Sequence, residues 1–228
     1  MSRYRWIIFD ADNTLFDFDR AERSALVRTL AAFALPYDDE VHARYTAISA
    51  RLWKAFEAGE ISSPRLRVAR FEQLLESIDA DPEPVSERYL TELGTQADLF
   101  PESEHVVRTL AATHRLMLAT NGIADVQRAR FRIASIRDCF HDVVISDEIG
   151  VAKPQAAFFD ETFRRMGHPA KESVLMVGDS LSSDIAGGHG YGIDTCWLDR
   201  GRGPEDPEPA PTYRIRHIDE LHPLLDAL

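Results

Sequence analysis

The stretch from Trp6 to Thr14, Trp-Ile-Ile-Phe-Asp-Ala-Asp-Asn-Thr, constrains this chain more than any other, because an apolar run stops abruptly at two carboxylates and a hydroxyl. A continuous apolar run rich in β-branched and aromatic residues suits a strand covered on both faces, so Trp6–Phe9 predicts a central strand of a parallel sheet. Side chains repeat every two residues in an extended chain, and Asp10 and Asp12 therefore lean to the same side as the strand opens into a loop. Two acids so placed can share one metal ion. The same residues also serve an ordinary turn, since Asp and Asn cap turns through local hydrogen bonds. The choice between these readings depends on what the rest of the chain brings to the same edge.

Three further runs end in the same way. Arg115–Thr120 stops at Thr120-Asn121-Gly122, a hydroxyl, an amide and exposed backbone N–H groups that together suit an oxyanion or phosphate. Asp142–Ser146 predicts another strand, after which Gly150-Val-Ala-Lys153-Pro154 leads into an amphipathic helix over residues 155–166. Pro154 is expected in the first helical turn, which puts Lys153 at the helix start, a poor place for a cation unless an anion faces it. Val174–Gly178 ends at Asp179-Ser180, with Asp184 five residues beyond Asp179. Gly187, Gly188, Gly190 and Gly192 miss the G-x-G-x-x-G order and predict close helix packing and a helix stop.

Together these fragments place acids, a hydroxyl–amide pair, a cation and a further acid at the carboxyl ends of four different strands. Strands alternating with helices imply an α/β fold with a Rossmann-like parallel sheet, whose ligands bind at the carboxyl edge near a topological switch point. The site is therefore expected from four separate loops.

In this order, D-A-D-N-T, T-N-G, K-P and G-D-S-x-x-x-D resemble the four motifs of the haloacid dehalogenase superfamily. The resemblance implies a phosphatase with Asp10 as nucleophile, passing through an aspartyl-phosphate intermediate. It implies Mg²⁺, with Mn²⁺ as a substitute, bound by Asp10, the Asp12 backbone carbonyl and Asp179, and supported by Asp184 from behind these ligands. Asp12 would protonate the leaving oxygen and later activate water. Thr120 and the Asn121 backbone would hold phosphoryl oxygens, while Lys153 balances charge between nucleophile and phosphate. Dehalogenases of this superfamily lack an acid at the position of Asp12, so its presence favours phosphatase chemistry. Asn13 is a departure, since an acid is expected there in the nearest relatives.

Between Phe16 and about Phe100 the periodicity changes from short strands to helices, at roughly 20–35, 39–57, 63–78 and 84–96. Pro36, the Gly59 to Pro64 stretch and Asp81-Pro82-Glu83-Pro84 mark the breaks. The expected organisation is a catalytic core of residues 1–16 and 98–228 with an inserted helical-bundle cap over 17–97. A bundle inserted there can close over the carboxyl edge and exclude water.

Leu52-Trp53-x-x-Phe56-x-x-Gly59-x-Ile61-Ser62, Arg70-Phe71, the 144–154 segment and Thr195-Cys-Trp-Leu198 narrow the resemblance to bacterial pyrimidine 5'-nucleotidases. That implies a nucleoside leaving group, which Phe18 or Trp53 could stack on and Arg70 could hydrogen-bond. Helical spacing suits Trp53, Phe56 and Phe71 more to the bundle core than to a ligand platform. A sugar-phosphate phosphatase or phosphomutase is the alternative within enzymes, and a non-turnover regulator that binds a phosphorylated metabolite is the alternative outside them.

The net charge of −12 argues against a nucleic-acid polymer as partner but admits a small phosphorylated metabolite in a locally positive pocket. Cys139 and Cys196 read as reduced thiols, and the eight histidines show no metal-ligand spacing. No signal-like segment and no apolar run near 18 residues is evident, so the expectation is a cytoplasmic monomer or homodimer without a membrane partner. The Pro-rich acidic stretch from Gly201 to Pro211 predicts an exposed loop before a last strand at Tyr213 to Ile215.

Overall fold

The computed structural model describes residues 3–201 and 203–228. Six short runs, dominated by apolar residues, form its sheet: β1 Trp6–Phe9, β2 Arg115–Thr120, β3 Phe140–Ile145, β4 Val174–Gly178, β5 Asp194–Leu198 and β6 Tyr213–Ile215. Their order is β3-β2-β1-β4-β5-β6, and every neighbouring pair is parallel. The winding reverses between β1 and β4, so the expected Rossmann-like sheet is present with its switch point beside the first acidic loop.

Four helices follow β1: α1 Phe18–Ala32, α2 Asp39–Glu57, α3 Ser63–Leu74 and α4 Pro82–Gly94. Then come α5 Ser103–Ala111, α6 Ala124–Ile133, α7 Ser146–Ile149, α8 Ala156–Met166, α9 Ala186–Tyr191 and α10 Leu221–Asp226. Helix ends differ from the periodicity reading where local chemistry intervenes. α1 stops at Ala32 rather than Leu35, because Ala34 turns left-handed at φ +53° and Leu35 N–H returns to the Leu30 carbonyl. α4 begins at Pro82 rather than Pro84, with the Asp81 carboxylate accepting from Glu83 N–H.

The chain divides into two units. The first runs to Asp17 and includes Asp98–Ala124 and Arg132–Leu228. One face of its sheet, through Trp6, Ile8, Met117 and Met176, is covered by Phe158, Phe159 and Phe163 of α8. Gly187 and Gly188 of α9 make the close approaches expected of them. A Cβ at Gly187 would lie 2.7 Å from the Phe159 ring, and one at Gly188 would lie 2.6 Å from Thr195 Cγ2. Gly192, at φ +83°, ends the helix.

The second unit is Phe18–Ala97 together with Asp125–Phe131. The sequence reading puts all of 98–228 in the core, yet the middle of α6 groups with the helices. Arg130, fully buried, donates Nε to the Gln96 carbonyl at 2.7 Å, and its guanidinium lies 5.7 Å from the Phe18 ring centroid. Tyr45, Phe71 and Tyr89 centre this unit, with ring centroids 5.2–5.6 Å apart. Among the described residues no helix is long and apolar enough to cross a membrane.

Candidate active site

β1 and β4 run in register, with Phe9 opposite Val177, so the residues that follow each strand emerge side by side. Asp10 N–H still bonds the Val177 carbonyl at 2.9 Å, which fixes the first acid at the sheet's end. Asp10 is 7% exposed and Asp184 is fully buried. Gly178 is what lets Asp184 reach this point: a Cβ there would lie 2.2 Å from Asp184 Oδ2. A π-type turn over Leu181–Ile185 carries Asp184, whose Oδ2 accepts from Ser180 N–H at 3.1 Å.

Lys153 joins these acids and corrects the sequence expectation. The lysine and Pro154 lie in a turn before α8, whose first residue is Ala156, so Lys153 is not at a helix start. Its side chain is 1% exposed. The ammonium donates to Asp10 Oδ1, Asp184 Oδ1 and the Ala119 carbonyl, each at 2.7 Å. An ammonium has three donors, and all three are used. Burial by itself would depress the lysine pKa, but the two carboxylates outweigh it and raise the value, so Lys153 is a fixed cation.

Asn121 acts through its side chain as well as its position. Its Nδ2 donates to the Lys153 carbonyl at 2.9 Å and its Oδ1 accepts from Lys153 N–H at 2.8 Å, pinning the lysine's backbone. Thr120 is buried, and its hydroxyl accepts from Gly122 N–H at 3.1 Å. Asp147 closes the adjoining helix by accepting from Ala124 N–H at 3.0 Å.

Asp10, Asp179 and Asp184 each offer a carboxylate oxygen within 4.8 Å of the others. With all three acids ionised, three carboxylates against one ammonium would leave two negative charges in a confined volume. Hard oxygen donors with that surplus fit a divalent cation of the Mg²⁺ kind. Burial raises the Asp10 pKa well above the usual carboxylate value; Lys153 opposes this, and Asp184 and Asp179 add to it. Asp179 is pushed up to about 7, by burial first and by Asp184 next, against Lys153. Asp12 stands outside the carboxylate group, on the loop where Asn13 takes φ +59°, a conformation Asn tolerates better than most residues.

Two side chains to which the motif reading gives no role steady these loops. Trp197 Nε1 donates to the Asp179 carbonyl at 2.9 Å, and Arg200 donates to the carbonyls of Asn13 and Thr14. Both lie far from their partners in sequence, and only the paired ends of β4 and β5 reveal them.

The helical residues are placed as follows. Arg70 is 1% exposed, donates Nη1 to Tyr45 Oη at 3.2 Å and lies 5.3 Å from the Tyr89 ring centroid. This corrects its expected role as a donor to a leaving group, because the bundle interior encloses it. Phe71 is core, while Trp53 and Phe56 are half-buried and meet edge to face at 5.6 Å.

A family model for haloacid dehalogenase-like hydrolases matches residues 4–192. The chain is 33% identical over 223 residues to the pyrimidine 5'-nucleotidase YjjG of Escherichia coli, covering 98% of each. It is 31% identical over 226 residues to the pyrimidine 5'-nucleotidase PynA of Streptococcus pneumoniae, covering 98% of this chain and 95% of that one. The crystal structure of the HAD-hydrolase YfnB of Bacillus subtilis, bound to magnesium, superposes with a TM-score of 0.92 at 33% identity, covering 98% of this chain and 99% of that one.

Proposed function

The chain belongs to the haloacid dehalogenase-like hydrolases and is a phosphoric monoester hydrolase; from that premise we propose that it hydrolyses nucleoside 5'-monophosphates, pyrimidine ones foremost and noncanonical ones among them. The observation that carries this reading is the Lys153 ammonium held between Asp10 and Asp184, with Asp179 beside them, at the carboxyl ends of the central strands. Relatives named as pyrimidine 5'-nucleotidases supply the substrate class.

Asp10 attacks phosphorus as its carboxylate, and the bond to the leaving oxygen breaks as Asp12 gives that oxygen a proton. Asp12, now a carboxylate, takes a proton from water, which attacks the aspartyl-phosphate and releases phosphate. Asp12 thereby recovers its proton and Asp10 its charge. The Thr120 hydroxyl and the Asn121 N–H hold phosphoryl oxygens, and Lys153 favours the ionised nucleophile while offsetting charge on the phosphoryl group. Asp10, Asp179 and the Asp12 backbone carbonyl would hold Mg²⁺, with Asp184 steadying the set; Mn²⁺ is its expected substitute. Bound there, the ion supplies charge neutralisation between two anions and orients the displacement.

The test is inorganic phosphate release from a panel of pyrimidine and purine monophosphates and sugar phosphates, with Mg²⁺ and with chelator, beside Asp10→Asn. The expected result is metal-dependent turnover strongest for pyrimidine monophosphates and absent in the variant. A sugar phosphate turned over fastest would keep the mechanism and replace the substrate, and no turnover on any member would remove the enzyme reading.

A further inference from the structure

We propose that Arg200 is a positioning residue that holds the loop carrying Asp12 in register with the Asp179 loop, and so sets the aim of Asp12 at the leaving oxygen. The inference rests on Asp12 being the acid and base. Arg200 follows β5, and its guanidinium spans two successive carbonyls of the acidic loop, Nε to Asn13 O at 3.1 Å and Nη2 to Thr14 O at 3.2 Å. The guanidinium also lies 3.6 Å from the Phe100 ring centroid, and Phe100 N–H bonds the Leu15 carbonyl at 3.0 Å. The loop is thus gripped at Asn13, Thr14 and Leu15, immediately after Asp12. On its other side the Thr14 hydroxyl accepts from Asp179 N–H at 3.1 Å, while Trp197 Nε1 holds the Asp179 carbonyl at 2.9 Å. Trp197 and Arg200, three residues apart, therefore fix both acidic loops from one strand end.

The backbone at Arg200 is strained for this placement. Its φ is +49°, a region in which a side chain other than glycine is disfavoured. The residue before it is anchored, since Asp199 N–H bonds the Ile215 carbonyl at 2.9 Å and the Asp199 carboxylate accepts from Arg214 Nη2 at 2.8 Å. Glycine would suit this backbone better, so the arginine side chain is what the position retains.

The test compares Arg200→Gly and Arg200→Lys with the wild type on two substrates. One is uridine 5'-monophosphate, or whichever alkyl phosphate the wild type turns over best; the other is p-nitrophenyl phosphate. The alkoxide needs a proton from Asp12 to leave, whereas nitrophenolate leaves without one. The expected result for Arg200→Gly is a fall in kcat/KM on the order of 10–100-fold for the alkyl phosphate but only about threefold or less for the aryl one. Arg200→Lys, a point charge that cannot span both carbonyls, should fall between. Free guanidinium at millimolar concentration should restore part of the Arg200→Gly rate on the alkyl phosphate. Equal losses on both substrates would mean a general structural role and would overturn the proposal, as would no loss on either. A wild type that releases phosphate from neither would fail the catalytic reading first, and the proposal with it.

Discussion

Lys153 in the sheet unit and Arg70 in the helical unit are both 1% exposed, yet their surroundings differ in kind. Every donor of Lys153 meets an acceptor at 2.7 Å, two of them carboxylates, and Asn121 fixes its backbone as well. Arg70 has one described side-chain hydrogen bond, to Tyr45; its Nε and Nη2 are buried without a partner among the described residues. Its charge is answered at longer range by Glu22 and by the face of Tyr89. A cation whose every proton is aimed is held for what it does to its neighbours. One with idle donors, each costing about 1–3 kcal/mol when buried unmade, is held by packing.

Removing the anion that Lys153 serves gives the largest expected effect. Asp10→Asn keeps the shape of the side chain and removes the proposed nucleophile, so turnover should fall on the order of 10⁴-fold or more, measured by phosphate release. Residual activity within tenfold of wild type, by about 1.4 kcal/mol, would end the covalent reading.

Lys153→Met comes next and addresses the cation itself. Its loss should lower kcat on the order of 10²–10³-fold and destabilise the fold by about 3–5 kcal/mol, because two buried carboxylates then face each other uncompensated. Lys153 pulls the Asp10 pKa down, so without it Asp10 holds its proton to higher pH. The stability deficit should therefore be greatest at alkaline pH and shrink as pH falls and Asp10 takes its proton. Urea unfolding across pH, with chelator present, reads this directly; a deficit that grows on acidification would contradict the assignment.

Metal binding probes the same cluster more gently. Asp179 is raised from 3.8 to about 7, so the metal-free site binds a proton more tightly than the unfolded chain does, and its contribution to stability is lost as pH rises through about 7. Mg²⁺ must displace that proton. Its apparent affinity, followed by calorimetry, should rise about tenfold or more per pH unit below that point. An affinity flat with pH would mean that Asp179 is ionised already.

How much of this was legible in the sequence depends on the range of the interaction. Asp10, Thr120 and Asp179 each stand at the end of a short apolar run, Lys153 follows the third such run after a short connection, and the parallel sheet that those runs imply brings them to one edge. That Lys153 faces Asp10 was expected, but its place in a turn was not legible, because Pro154 in a turn and Pro154 in a first helical turn read alike along the chain. Asn121, Trp197 and Arg200 act on backbone groups between 18 and 187 residues away, which no local pattern records. Arg70 was misread for a related reason. Periodicity marks the apolar face of α3 but cannot tell that the bundle closes over the arginine beside Phe71 as well.

Arg70→Met is the smallest expected effect and the sharpest challenge to the contrast drawn between the two cations. Methionine fills much of the arginine stem's volume among Tyr45, Phe71 and Tyr89, and it removes the idle donors together with the Tyr45 hydrogen bond and the charge facing Glu22. Arg70 answers the buried Glu22 at longer range than Lys153 answers its two carboxylates, so the loss in unfolding free energy should be about 1–2 kcal/mol, smaller than at Lys153. Phosphate release should remain within about twofold, since the side chain has no surface to offer a substrate. Urea unfolding of Arg70→Met beside Lys153→Met, at one pH and with chelator, makes the comparison. Equal losses would show that Glu22 binds its arginine as tightly as Asp10 and Asp184 bind their lysine, and that the unmade bonds of Arg70 are met in solution by water.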